Sequence, residues 1–429
     1  MHRVLRTEVP GMGDIMTNIS ETDKRFSILK EDIISRIDMS REVSDDEIKD
    51  IIKDAIFELR QKENISLVER EELFRLLFYE VRRLGILEEL IADNSVTEIM
   101  VNGTHDIFIE RNGSIIKWDR HFDSEEKLRS VIQQIVAKSN RVVNEASPIV
   151  DARLENGARV NVVLAPVALN GPIVTIRRFP DKPISMDDLI RFGSLRDDIA
   201  SWLSSLVRAR YNIFVSGGTG SGKTTFLNAL SEFIPHDERV ITIEDSAELQ
   251  IKGIDNLVRL ETRNANVEGL KEITIRDLIK TSLRMRPDRI IVGEIRDGAA
   301  LDFLSAANTG HDGSLCTGHA NSAVDMLSRI ETMVLMGMDL PLPAIRRQMA
   351  SAIDIIIHLG RLRDKSRKVL EITEMTGLVG GEFVLNPIFN FTEEGETKNG
   401  LIKGTLKKTG ILSYTEKLKR HGLYDKSLV

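Results

Sequence analysis

Apolar residues change their spacing at definable points along the chain, and each change predicts a different element. The first forty residues show weak periodicity, so residues 1–43 read as a flexible, loosely held N-terminal segment. From Ser44 the pattern turns helical. Ser44 and Glu47 form a capping-box pair, each side chain able to satisfy the other residue's free backbone N–H. Ile48, Ile51, Ile52, Ala55, Ile56 and Leu59 then recur every three or four residues on one face. Ser66 and Glu69 repeat the start signal before Leu73, Leu76, Leu77, Val81 and Leu84, and Gly85 supplies the stop. Residues 44–92 therefore read as a helical bundle.

Short strands follow. Ile99–Val101, Ile107–Ile109 and Ile115–Trp118 are separated by Asn102-Gly103 and Asn112-Gly113, pairs that tolerate positive φ and suit tight hairpins. A helix is predicted from Ser124 to about Lys138, then strands at Arg159–Leu164 and Ile173–Phe179. Residues 93–179 thus read as a smaller α+β domain. Pro180 and Pro183 bracket residues 180–184, which can continue neither a central strand nor a helix and are read as a linker. Ser185 and Asp188 open a new helix. Up to about Leu359 strand-like runs (Ile213–Ser216, Val240–Ile243, Val258–Leu260, Ile290–Val292) alternate with helical ones, which predicts a mostly parallel sheet with helices on both faces. Residues 185–429 form this α/β domain, ending in a basic tail.

Composition narrows the class. In 429 residues, 41% are hydrophobic and 29% charged, the balance of a globular chain. No apolar run approaches the roughly 20 residues of a membrane-spanning helix. Met1–Met16 is broken by Arg3, Arg6, Glu8 and Asp14, so no signal-peptide core is read there, and a cytoplasmic protein is expected. A single cysteine, Cys316, rules out an intrachain disulfide and any multi-cysteine zinc site. The net charge of −7 argues against nucleic acid as a partner. The tail from Thr397 is the local exception: eight Lys or Arg face only Glu416 and Asp425. It reads as a solvated helix and hairpin, with an acidic partner or a lipid surface as the alternative.

The strongest chemical signal is Gly217-Gly218-Thr219-Gly220-Ser221-Gly222-Lys223-Thr224-Thr225, which follows an apolar strand and opens a helix. Glycines let successive backbone N–H groups close on a phosphate, and the helix N-terminus adds positive potential. Lys223 supplies a mobile cation for the β- and γ-phosphates, and the Thr224 hydroxyl suits Mg²⁺. Hydrolysis also needs a carboxylate. Ile290–Val292 reads as a buried strand ending near Glu294, and ligands of open α/β sheets gather at such carboxyl ends. Gly293 stands where such strands usually carry an aspartate, so Mg²⁺ would rest mostly on Thr224, phosphate oxygens and water. Glu244, Asp245 and Glu248 cluster at a second strand end; alone they read equally as caps, with Asp245 or Ser246 the capping residue. In the glycine-rich stretch 309–319, His311 and His319 read as γ-phosphate sensors or loop-ordering residues, with a structural role open for His311.

These residues resemble the secretion-superfamily ATPases, most closely the CpaF-type motors of Tad (Flp) pili. The resemblance covers roughly residues 81–425. Ile243–Glu248 is similar to that family's Asp box, Met285–Arg296 to its glycine-bearing Walker B strand, and Asn308–Ser314 with Gly318–Ser322 to its His box. Pro148–Leu154, Arg159–Asn161, Thr175–Phe179 and Arg346–Asp354 also match. The resemblance implies a PAS-like N-terminal domain before a RecA-like ATPase domain, with ATP and Mg²⁺ as cofactors. It implies Glu294 as catalytic glutamate and Glu244 as an acidic partner near metal or water. It implies His319 in the catalytic set, with Arg153, Arg159, Arg177 and Arg178 including cations that reach the phosphates. Family members work as homo-hexamers on inner-membrane pilus platform proteins, which implies peripheral association with the inner face of the cytoplasmic membrane. Relatives in type II secretion and type IVa/b pili usually carry a four-cysteine zinc insert, which this chain cannot form. Gly318 before His319 departs from the usual pattern. Within the class a type IV secretion traffic ATPase or an archaeal-type filament motor stays open. Outside it the alternatives are a nucleic-acid translocase and, because of Gly293, a non-catalytic nucleotide-gated scaffold.

Overall fold

A computed structural model describes residues 12–38, 41, 43–111, 113–139, 141–178, 182–263 and 271–425, with side chains from residue 24 onward. The chain divides into two compact units, 1–180 and 181–429. Of the expected linker, Pro180 and Asp181 lie outside the described residues, as do the first eleven residues of the N-terminal segment.

The first unit begins with three helices: α1 (Met12–Arg36), α2 (Asp45–Lys62) and α3 (Leu67–Arg82). The Ser44–Glu47 capping box forms as the pattern predicts, and Ser66 accepts from the Glu69 N–H. Helix α1 differs from the loosely held segment expected there. Leu29 and Ile33 are buried against Ile48, Ile52, Leu73 and Leu77, with Phe26 and Ile37 packed beside them. After α4 (Ile86–Ala92) the chain forms β1 (Val96–Asn102), β2 (Asp106–Arg111), β3 (Ser114–Lys117), α5 (Glu125–Lys138), β4 (Ile149–Arg153), β5 (Arg159–Val163) and β6 (Ile173–Arg177). The strands form an antiparallel sheet in the order β3-β2-β1-β6-β5-β4. One of its faces, carrying Ile99, Val101, Val160 and Ile176, is covered by α4 and α5 through Leu90, Leu128, Ile132 and Ile135.

The second unit runs α6 (Met186–Arg191), α7 (Asp197–Arg208), β7 (Ile213–Gly217), α8 (Lys223–Ser231), β8 (Arg239–Glu244), β9 (Asn256–Glu261), α9 (Ile275–Ser282), β10 (Arg289–Val292), α10 (Ala299–Asn308), β11 (Leu315–His319), α11 (Ala323–Gly337), α12 (Leu342–Ala352), β12 (Ile355–Arg361), β13 (Arg367–Val379), β14 (Glu382–Glu396), β15 (Ile402–Lys408) and α13 (Glu416–Arg420). Its nine strands order as β15-β14-β13-β12-β7-β11-β10-β8-β9. From β12 to β9 every pairing is parallel, and the central strands are apolar on both faces because helices cover both. Ile213, Val215 and Ile291 pack to one side with α7 and α8; Phe214, Ile290 and Val292 pack to the other with α9–α12. No described helix is long and apolar enough to cross a membrane.

The alternation ends with β12 near Leu359, as expected, and beyond it β13–β15, three antiparallel strands, extend the sheet. Part of the basic tail is built into this extension. Lys417 reaches Asp354 (2.7 Å) and Asp312 (2.9 Å), fastening α13 to the base of β7. Lys426 lies outside the described residues.

Candidate active site

Strand β7 delivers the glycine-rich loop. At Gly217 a Cβ would meet the Leu359 carbonyl at 2.6 Å and Ser221 Oγ at 2.5 Å, so only glycine lets the loop leave the sheet between β12 and β11. Gly220 (φ 71°) and Gly222 (φ 93°) hold left-handed backbone that turns the chain into α8. Gly218, Thr219 and Gly220 are exposed at the tip, and Ser221 Oγ donates to the Gly218 carbonyl at 2.9 Å. Thr224 and Thr225 are half-buried in the first turn of α8. The buried Lys223 folds back so that Nζ donates to the Gly218 carbonyl at 3.1 Å. Backbone N–H groups, a helix N-terminus and an ammonium thus share one short segment, the donor set that a phosphate cradle requires.

The parallel register brings chemistry to it. His319 pairs with Gly217, and its Nδ1 lies 3.2 Å from Lys223 Nζ. An ammonium only donates, so Nδ1 is the acceptor and the ring proton sits on Nε2. Burial lowers the imidazole pKa, and Lys223 and Arg296 lower it further against the pull of Glu294. His319 is therefore a neutral ring. Its Nε2 lies 2.9 Å from Glu294 Oε1, a close approach without the alignment of a hydrogen bond. Glu294 Oε2 accepts from Arg296 Nη2 at 2.8 Å. Burial pushes the Glu294 carboxyl up, but Arg296, His319 and Lys223 together outweigh it and hold the group below the ordinary carboxylate range. Glu294 is thus ionised at neutral pH and lies against His319, which in turn meets the lysine of the loop.

Glu244 behaves differently. It is buried (3% exposed), and its Oε2 accepts from the N–H groups of Glu248 (2.7 Å) and Leu249 (2.8 Å). Glu244 thus ties down this strand-end loop through its own carboxylate. Burial drives its carboxyl up to about 7, against the backbone donors. A Cβ on Gly293 would lie 2.9 Å from Glu244 Cγ. The missing strand aspartate is thus explained: the side chain of Glu244, on the adjacent strand β8, fills the space that a side chain at 293 would need.

Arg153, Arg159 and Arg177 of the first unit are register neighbours across β4, β5 and β6, so they form one row on one face. Arg178 stands apart from that row in its bonding: it donates to Asn94 Oδ1 (2.9 Å), to the Val96 carbonyl (3.2 Å) and to the Asp93 carbonyl, and so fastens the turn before β1. His311 Nδ1 pairs with the Ala306 carbonyl at 3.2 Å and orders the end of α10. Cys316 is fully buried in β11. Sequence reasoning missed Arg296, two residues beyond Glu294, and Arg367, whose Nε donates to the Gly220 carbonyl at 2.9 Å. Arg296 had a signal in its spacing from Glu294; Arg367 had none, because a strand pairing across the sheet brings it to the loop.

The fold and the site define a class. Residues 80–415 match the family of type II/IV secretion system proteins, and the chain belongs to that family. Among known proteins it is similar to the conjugal transfer protein TrbB of Rhizobium radiobacter, 34% identical over 291 residues (67% of this chain, 86% of the other). It is also similar to the type IV secretion system protein VirB11 of Bartonella henselae, 30% identical over 330 residues (68% and 91%). Of solved structures, the Yersinia pseudotuberculosis ATPase DotB is similar in fold, with a TM-score of 0.50 and 17% identity over 67% of this chain and 77% of that one.

Proposed function

We propose that the protein is an ATPase whose hydrolysis cycle drives a secretion or pilus-assembly machine. The observation that carries this reading is the chain Lys223–His319–Glu294, set by strand register at the lip of the phosphate loop. In this reading the loop amides and Lys223 hold the β- and γ-phosphates of ATP. Glu294, ionised and beside a neutral histidine, accepts the proton of the water that attacks the γ-phosphate, and ADP leaves. The residues suit magnesium as well: Thr224 stands in the first turn of α8, and one oxygen each of Glu244 and Glu294 is buried without a hydrogen-bond partner. Bound there, the ion would neutralise phosphate charge, held by Thr224 and, through water, by the two glutamates. The row Arg153–Arg159–Arg177, presented on one face of its sheet, would supply further cations for phosphate. Arg178 keeps its place in the site only through its resemblance to family motifs.

The finer reading is a homo-hexamer at the inner face of the cytoplasmic membrane, passing motion between two domains to the inner-membrane platform of a Tad/Flp pilus, without nucleic acid as a partner. The residue matches around the Asp, Walker B and His boxes support it. A second reading, a type IV secretion ATPase, is favoured by the similarity to TrbB and VirB11. Neighbouring genes separate the two: prepilin and prepilin peptidase for the first, conjugation components for the second. For the activity itself, Lys223→Ala is expected to abolish magnesium-ATP binding or turnover. Wild-type protein that releases no phosphate from ATP, alone or assembled, would remove the motor and leave a nucleotide-gated scaffold.

A further inference from the structure

The loop has a second flank, which neither the motifs nor the relatives assign. Strand β12 lies beside β7 on the side away from β11 and β10, with Leu359 paired to Gly217. Two residues further on the chain turns back through 362–366 into β13, which places Arg361 and Arg367 directly opposite one another. The turn is held firmly. Lys365 sits at φ 66°, and Leu362 donates to the Ser366 carbonyl at 2.8 Å. Asp364 accepts from Ser366 Oγ (2.6 Å), Ser366 N (2.9 Å) and Ile402 N (2.7 Å).

Three arginines ride on this hairpin, and their partners differ. Arg363 is matched with Glu393 and Glu396 on β14. Arg361 and Arg367 have no carboxylate partner among the described residues, although both are exposed and face one another. Paired like charges across a ladder destabilise it unless an anion answers them. Their heads gather at the phosphate loop. Arg367 Nε donates to the Gly220 carbonyl, a Cβ on Gly222 would lie 3.4 Å from Arg367 Cδ, and one on Gly220 would lie 3.9 Å from Arg361 Nη1. The Gly220 bond uses only the Nε of Arg367, which leaves its terminal fork for a phosphate oxygen pair.

We infer that Arg361 and Arg367 bind the phosphates of a nucleoside di- or triphosphate at the loop, from the flank opposite Glu294. This rests on the ATPase reading above. Because Glu294 and His319 attend the terminal phosphate from the other side, the pair addresses the phosphates nearer the nucleoside, which ATP and ADP share. The arginines therefore hold product as firmly as substrate and contribute to affinity rather than to the chemical step.

The test is calorimetric binding of magnesium-ADP and of a non-hydrolysable magnesium-ATP analogue to full-length Arg361→Gln, Arg367→Gln and the two Lys variants, with turnover and thermal midpoints alongside. Each Gln variant is expected to weaken both nucleotides by roughly tenfold or more, with kcat at saturating ATP within about a factor of three and Lys restoring part of the loss. The nucleotide-free midpoint should hold or rise, since a like-charge contact is relieved, while the nucleotide-induced rise shrinks. Arg361→Gln leaves the Gly220 bond intact and carries the test if the Arg367 variant unfolds. Unchanged affinities in a wild type that binds nucleotide overturn this inference alone, as does a fall in kcat with affinity preserved. A wild type that binds neither nucleotide, or a Lys223→Ala variant that binds and hydrolyses ATP normally, overturns the ATPase reading instead.

Discussion

Strands β8 and β10 are neighbours in the sheet, and each delivers a glutamate at its carboxyl end, yet the two acids live in opposite environments. Ile243 pairs with Val292, and the Gly293 N–H donates to the Ile243 carbonyl at 2.9 Å, so Glu244 and Gly293 stand side by side. Glu244 is the last residue of its strand; its side chain lies over Gly293 and is sealed in. Glu294 falls one position later, beyond the ladder, where Arg296, His319 and Lys223 surround it. One residue of offset separates a buried acid driven up to about 7 from one held below the ordinary range. A carboxylate's place in the register, more than its presence near a strand end, decides whether it can serve as a base.

The sharpest way to break this contrast is turnover. Glu294→Gln should still bind ATP while losing about 10²–10⁴-fold in kcat, the usual contribution of a positioned proton acceptor. Glu244→Gln should lose nearer tenfold, as a residue acting through an outer shell does. Equal losses would place both acids in the chemistry, and undiminished turnover in the Glu294 variant would remove it from the catalytic role.

Stability against pH gives the next largest effect. Unfolded, Glu244 titrates near 4.3; folded, it stays protonated to about 7. Between those values the native protein binds more protons than the unfolded chain, so stability falls as pH rises through the window, and the whole penalty applies above it. That penalty is on the order of 3–4 kcal/mol. Glu244→Gln, neutral throughout, should therefore gain stability over wild type as nucleotide-free protein is taken from pH 5 to pH 8, read from paired unfolding curves. A difference that stays flat would show that Glu244 is already ionised when folded.

Gly293→Asp restores the acid that such strands usually carry. Here it is expected to destabilise by about 1–3 kcal/mol, because its Cβ must displace the Glu244 side chain. Shortening Glu244 to Ala in the same chain should return part of that loss, with a coupling of about 0.5–3 kcal/mol in a double-mutant cycle. Strict additivity would mean that the two positions do not share the space.

Much of this was legible in the sequence, and the misses have causes. The glycine loop, Lys223 and the bundle helices announce themselves through spacing, and Glu294 through its place after an apolar strand. Helix α1 escaped because its apolar positions, Phe26, Leu29 and Ile33, recur at helical spacing inside a strongly polar stretch without a capping box. The antiparallel extension escaped because β13–β15 lack the helices that punctuate the parallel part. The role of Gly293 was invisible for a different reason: it depends on which way a neighbouring strand's side chain turns. Arg361 and Arg367 were hidden likewise, since only the pairing of β12 with β7 and β13 brings them to Gly220.

The smallest effect concerns Arg296, which makes the two acids differ. Remove it and the hydrogen bond and charge that hold Glu294 low go with it, so burial, the largest single influence, pushes the carboxyl upward. Glu294 must be ionised to accept a proton, so the acid side of the pH–rate profile should move to higher pH. Arg296→Ala is then expected to lose more rate at pH 6 than at pH 8, raising the ratio of the two rates by at least about twofold. Arg296→Lys, which keeps the charge but loses the forked geometry, should fall between. His319 also lies against Glu294, so the measurement is repeated in His319→Asn, where the Arg296 effect should persist. If the ratio does not move in either background, the ionisation of Glu294 is set by Lys223 and the loop, and the difference between the two strand ends reduces to burial alone.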